Sequence, residues 1–117
     1  MPASRRRALP SLPSEHADFV AETFAALGDP TRARIVFALT RGEQSVNALA
    51  EMTEVSASAV SHHLARLRNI RLVKTRRAGN QVFYSVDDAH VAGLFREALF
   101  HLDHVKRKLP DHISDES

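Results

Sequence analysis

The chain has 117 residues, of which 26% are charged, with a formal net charge of +2 and a pI near 9.5. That length sets one domain with a modest core, for which burial of a dimer interface is a natural supplement. The lack of cysteine excludes a disulfide framework and any thiolate metal site, and no apolar run approaches the ~18 residues of a membrane span, so the expectation is a cytoplasmic protein limited to oxygen and imidazole ligands.

From Glu15 to Leu27 the apolar residues Phe19, Val20, Phe24 and Leu27 recur at helical spacing and predict a first amphipathic helix, ended by Gly28. Asp29 offers an N-cap oxygen and Pro30 fits the first turn of a second helix, which turns Ile35, Val36 and Leu39 to the core and closes at Gly42. A third helix is expected from Ser45 to Thr53 on Val46, Leu49 and Ala50. After a break at Glu54 to Ser56, a fourth runs through Val60, Leu64 and Leu67. Two short helices on a tight connection form a helix-turn-helix. Beyond Asn69 the period changes. Leu72 and Val73 lead into Lys74 to Arg77, Ala78-Gly79-Asn80 turns the chain, and Val82, Tyr84 and Val86 alternate, the pattern of a hairpin or wing. A long last helix spans about Asp87 to Lys108. The expected fold class is mainly α with a β-hairpin wing: a winged helix-turn-helix over residues 15–108, forming a homodimer through its terminal helices. Residues 1–14, with three prolines and three arginines, form a basic arm, and 109–117 a frayed tail.

Positive charge is clustered at Arg5 to Arg7, Arg66 to Arg71 and Lys74 to Arg77, which matters more than the small total. The fourth helix begins with Ser56, Ser58, Ser61, His62 and His63, with Arg66 and Arg68 beyond. Short hydroxyls near a helix N-terminus let backbone amides approach phosphates, and hydroxyl, imidazole and guanidinium groups reach base edges in a major groove. Standing alone, this is equally an ordinary surface helix with a serine cap. The neighbouring wing, with Arg76, Arg77 and Asn80 near its tip to meet the backbone or minor groove, points to double-stranded DNA as the partner. His62 and His63 also suit packed or solvated positions.

The last helix carries Asp88, His90, His101 and His104. His90 and His101 are eleven residues apart, about 16 Å along a helix, so one helix cannot close a four-ligand site. An antiparallel copy can. The residue numbers of Asp88 and His104 sum to 192 and those of His90 and His101 to 191, which a two-fold axis near Arg96 requires of facing positions. Two equivalent sites then form between subunits, and Val91, Phe95, Ala98, Leu102, Val105 and Leu109 supply an apolar seam. The bland alternative is that Asp88 caps the helix and the histidines are solvated.

Leu27-Gly28-Asp29-Pro30-Thr31-Arg32, the run from Ser56 to Leu64, Leu72-Val73-Lys74 and Arg77-Ala78-Gly79-Asn80 resemble the ArsR/SmtB family of winged-helix bacterial repressors, over roughly residues 15–108. The resemblance implies a metal-free dimer that binds a palindromic operator and loses affinity when metal binds, releasing an export or resistance gene. Asp-x-His, then ten residues and His-x2-His, resembles the C-terminal interhelical site of the family's zinc, cobalt and nickel sensors, and Asp88, His90, His101 and His104 fill each position. The family's other common site, a cysteine pair, would fall near Ser45 and Asn47, so a thiolate sensor of arsenic, cadmium or lead is not expected. Similar sensors also join a ligand imidazole to a backbone carbonyl that here falls near Arg71. Three imidazoles and one carboxylate suit Zn(II) or tetrahedral Co(II) as effector.

A nickel or cobalt sensor of higher coordination is an alternative, with His16, His112 or the basic arm adding ligands from segments expected to be mobile. A second alternative is a winged-helix regulator that does not sense metal. A metallohydrolase is disfavoured, because the chain has no H-E-x-x-H pair and no Gly-rich phosphate loop.

Overall fold

The computed structural model describes residues 11–107, which form five helices and a three-stranded antiparallel sheet. Helix α1 (Ser14–Leu27) follows Pro13 and has no side-chain cap. His16 therefore sits in the first turn of a helix, not in the mobile segment expected for it. Gly28 stops α1, and Asp29 starts α2 (Pro30–Thr40): its carboxylate accepts the Arg32 amide at 3.0 Å, with Pro30 at the first helical position. Arg41 rather than Gly42 ends α2, and Gly42 then takes φ 148°, which a residue with a Cβ rarely adopts.

The next element has no counterpart in the sequence reading. Gln44–Ser45 form a short strand, β1, paired to Tyr84 and Phe83. Two residues are too few for alternation to show in a sequence. Ser45 also caps α3 (Val46–Thr53), its hydroxyl accepting the Ala48 amide at 3.2 Å. Helix α3 ends on Glu54 in the left-handed region, φ 57°, with the Val55 amide returning to the Ala50 carbonyl at 3.3 Å. Ser56 then caps α4 (Ala57–Asn69) by accepting the Ala59 amide at 3.1 Å. Helices α3 and α4 are thus two short helices on a tight connection, as anticipated.

The end of α4 is a Schellman closure built without glycine. Arg71 holds φ 64°, its amide bonds the Arg68 carbonyl at 3.0 Å, and the Leu72 amide bonds the Leu67 carbonyl at 2.9 Å. Strand β2 (Val73–Ala78) pairs with β3 (Gln81–Val86) from Val73↔Val86 to Ala78↔Gln81, and the sheet order is β1-β3-β2. The turn is the pair Gly79-Asn80, one residue shorter than expected, with Gly79 at φ 63°.

The core is gathered around α2 and α4. Ile35, Val36 and Leu39 meet Leu49 of α3, Val60, Leu64 and Leu67 of α4, Leu72 and Val73 at the entry to the wing, Ala26 of α1 and Val91 of α5 (Ala89–Arg107). The seam expected on the last helix is divided. Val91 is buried and Phe95 packs partly against the core of its own subunit, so Val91 is not available to a second copy and Phe95 is only partly so. The second half is open: Leu99, Phe100, Leu102 and Val105 are exposed, as are Leu94 and, on α1, Phe19, Val20 and Phe24. Lys108 and Leu109, expected at the helix end and seam, lie outside the described residues, as do the expected tail and most of the expected arm. Among the described residues no helix is long and apolar enough to cross a membrane.

Candidate metal centre and nucleic-acid interface

Asp88 stands just before α5 and uses Oδ1 to accept the His90 amide at 2.9 Å and the Val91 amide at 3.2 Å. It is therefore a helix cap. Capping also fixes the carboxylate beside the imidazole, because His90 Nδ1 lies 3.5 Å from the same oxygen. Two donors each ~2.0–2.2 Å from a tetrahedral ion stand roughly 3.3–3.6 Å apart, so the pair already has the separation of two ligands on one ion. His90 is almost wholly open to solvent, with its side chain 96% exposed. At the other end of the helix, His101 and His104 lie one turn apart on the surface, their rings parallel to within 22° and their centroids 6.3 Å apart.

The structure thus brings the four residues together as two pairs and not as one set. Among the described residues, no group of three or more ligand-type side chains in one subunit is placed to hold an ion. That is the outcome the eleven-residue spacing demands of a single straight helix. The two half-sets share α5 with the exposed apolar residues of its second half.

On α4, Ser58, Ser61 and His62 are exposed, as are Arg66 and Arg68 in the last turn, where positive charge also favours the helix dipole. The Ser56 hydroxyl is engaged in its cap, which leaves it an O–H to donate. His63 points elsewhere: half-buried, its Nδ1 is 3.4 Å from Arg32 Nη1, while Arg32 Nε donates to the Ala26 carbonyl at 2.7 Å. Arg32 joins the end of α1 to α4. Its amide holds the Asp29 carboxyl below the usual carboxylate range against the opposing effect of desolvation, and the charges of Arg32 and His63 add to this.

On the wing, Arg77 and Asn80 are exposed. Arg76 is occupied. Its Nε and Nη2 donate to the two oxygens of Glu43 at 2.9 and 2.8 Å, and its guanidinium lies over the Phe83 ring, 5.1 Å from the centroid. Sequence reasoning missed Glu43 and Arg32. Arg32 stood in a recognised run without a role, and Glu43 sits in a loop with no periodicity to flag it.

Short helices on a tight turn, a basic wing and a long last helix with an open apolar face define a winged helix-turn-helix regulator. Residues 29–75 match the model for the bacterial regulatory protein, arsR family. The chain is 42% identical over 101 residues to the HTH-type transcriptional regulator KmtR of Mycobacterium tuberculosis, covering 86% of this chain and 78% of that protein. It is 51% identical over 88 residues to the transcriptional repressor SmtB homolog of Synechocystis, covering 75% and 67% respectively. Among solved structures it is similar to the homodimeric winged helix-turn-helix DNA-binding domain of Mb0332 from Mycobacterium bovis, at TM-score 0.77 and 28% identity, over 87% of this chain and 95% of that one. This chain belongs to the ArsR family of bacterial regulatory proteins, whose members are transcriptional regulators and not enzymes.

Proposed function

We propose that this protein is a metal-responsive repressor: as a metal-free homodimer it binds operator DNA, and Zn(II) or Co(II) at the dimer interface weakens that binding and derepresses metal export or resistance genes. The observation that carries the reading is the Asp88–His90 pair, held at ligand separation by the helix cap and open to solvent at one end of α5, with His101 and His104 at the other. Asp88 and His90 of one subunit with His101 and His104 of the partner subunit would hold the ion. When bound, the ion supplies a positively charged tie between the two subunits, and its oxygen and imidazole ligands suit zinc or tetrahedral cobalt.

The chain itself offers a short route from this site to DNA. The Asp87 amide donates to the Leu72 carbonyl at 3.0 Å, and the Leu72 amide to the Leu67 carbonyl of α4 at 2.9 Å. The residue beside the ligand Asp88 is therefore two backbone hydrogen bonds from the recognition helix. Fixing α5 against its partner fixes the two recognition helices relative to one another, and operator affinity changes by linkage. Ser56, Ser58, Ser61, His62, Arg66, Arg77 and Asn80 are the side chains assigned to the DNA, with His63 packed behind them and Arg76 treated below.

A complementation experiment tests the shared site. Neither a dimer with alanine at 88 and 90 nor one with alanine at 101 and 104 should bind Zn(II), while a mixture of the two should regain one site per heterodimer. Full binding by either altered homodimer, or none by the mixture, overturns the reading. The optical spectrum of the Co(II) complex decides between a four-ligand site, with intense visible bands, and the nickel or cobalt reading in which His16 or His112 adds ligands.

A further inference from the structure

We propose that Arg76 is a positioning residue that locks the wing onto Glu43, and that Arg77 is the wing arginine that meets the phosphate backbone. This rests on the DNA-binding reading above and assigns different tasks to two neighbouring charges that the sequence does not distinguish. Arg76 lies on β2 opposite Phe83 of β3, crosses that ring, and grips both oxygens of Glu43, the second residue before Ser45, which pairs with Phe83. One side chain thereby ties both wing strands to the residue just before β1. The mutual effect is visible in both partners: the Arg76 hydrogen bond holds the Glu43 carboxyl below its ordinary range, and Glu43 raises Arg76.

The tie matters because the third strand is only two residues long. A hairpin with so little support from its neighbour is marginal by itself, and a planar guanidinium gripping both carboxylate oxygens over an aromatic face fixes direction as well as proximity. With two of its five N–H donors and most of its charge committed to Glu43, Arg76 would bring a repelling carboxylate along with it to any phosphate it met. Alternation along β2 sends Arg77 to the opposite face from Arg76, next to the Gly79-Asn80 turn, where it is exposed.

The test is binding of the full chain to a random-sequence DNA duplex as a function of salt, since such binding reports phosphate contacts. Arg77→Gln should weaken binding and lower the salt slope by about one per subunit. Arg76→Gln and Glu43→Gln should each weaken binding about threefold with the slope unchanged. The sign for Glu43→Gln is decisive, because removing a negative charge would tighten binding if charge alone mattered. The exchange Glu43→Arg with Arg76→Glu should restore affinity. Tighter binding by Glu43→Gln, or a slope lost with Arg76, overturns the proposal. Amide exchange of β2 and β3 in the free protein tests the lock without DNA: it should quicken in Glu43→Gln and Arg76→Gln but not in Arg77→Gln, and equal rates in all three would refute it. If the unaltered chain ignores duplex DNA, the DNA-binding reading fails, and the exchange rates still decide the lock.

Discussion

Single residues in this chain carry more than one task, and the sequence shows only the local one. Asp29, Ser45 and Ser56 are caps whose bonds close within three residues, and the helix starts at Asp29 and Ser56 could be read from residue type and position. Replacing Ser56 with alanine should lower stability to urea by about 1 kcal/mol. Glu43 and Arg76 are 33 residues apart, so no local pattern could join them. Because Arg76 depresses the folded-state titration of Glu43, their attraction is present at neutral pH and is lost as pH falls through that lowered value, below the ordinary carboxylate range. Wing amide exchange in the unaltered protein should therefore approach that of Glu43→Gln only in acid beyond that range. A merger of the two at pH 5 would contradict this. Arg71 was equally hidden: helices commonly stop on glycine, and here an arginine takes φ 64°. Arg71→Gly should raise the thermal midpoint, because glycine takes this backbone conformation without the Cβ strain.

Helices announce themselves by period, but period does not say what an apolar stripe packs against. The stripe on α5 read as one seam toward a second copy, yet Val91 is 5% exposed within its own subunit while Phe100 is 61% exposed further along. The first half was spent partly on the core, because α5 begins beside the hairpin and passes over α2 before running free. Leu102→Glu on the free half should leave the fold intact and shift the protein from dimer to monomer in sedimentation, whereas a dimer of unchanged strength would move the interface elsewhere. Leu64→Ala, at a wholly buried position of α4, should instead cost about 2–5 kcal/mol of stability. Strand β1 was illegible for a different reason: two residues cannot display alternation, and their pairing depends on a partner strand about forty residues later.

At the scale of the whole molecule, the small net charge conceals a division of surfaces. The basic side chains proposed to meet DNA lie on α4 and the wing, while the two proposed ligand pairs stand about three turns apart at the start of α5 and along it, with exposed apolar side chains on the same helix. The fold class and the helix-turn-helix were legible because each rests on spacing along one or two elements. The separation of Arg76 from Arg77 and the turning of His63 toward Arg32 were not, because they depend on contacts between distant segments. The central claim is that the interface between subunits and the DNA surface are coupled. It is tested most directly by measuring the affinity of the metal-free protein for the duplex it selects from a random pool, then repeating the measurement with Zn(II), Co(II) and Ni(II) in turn. The account predicts tight binding without metal and a loss of about tenfold or more with Zn(II), abolished in His101→Ala; an affinity unchanged by every ion, with metal bound, would contradict it.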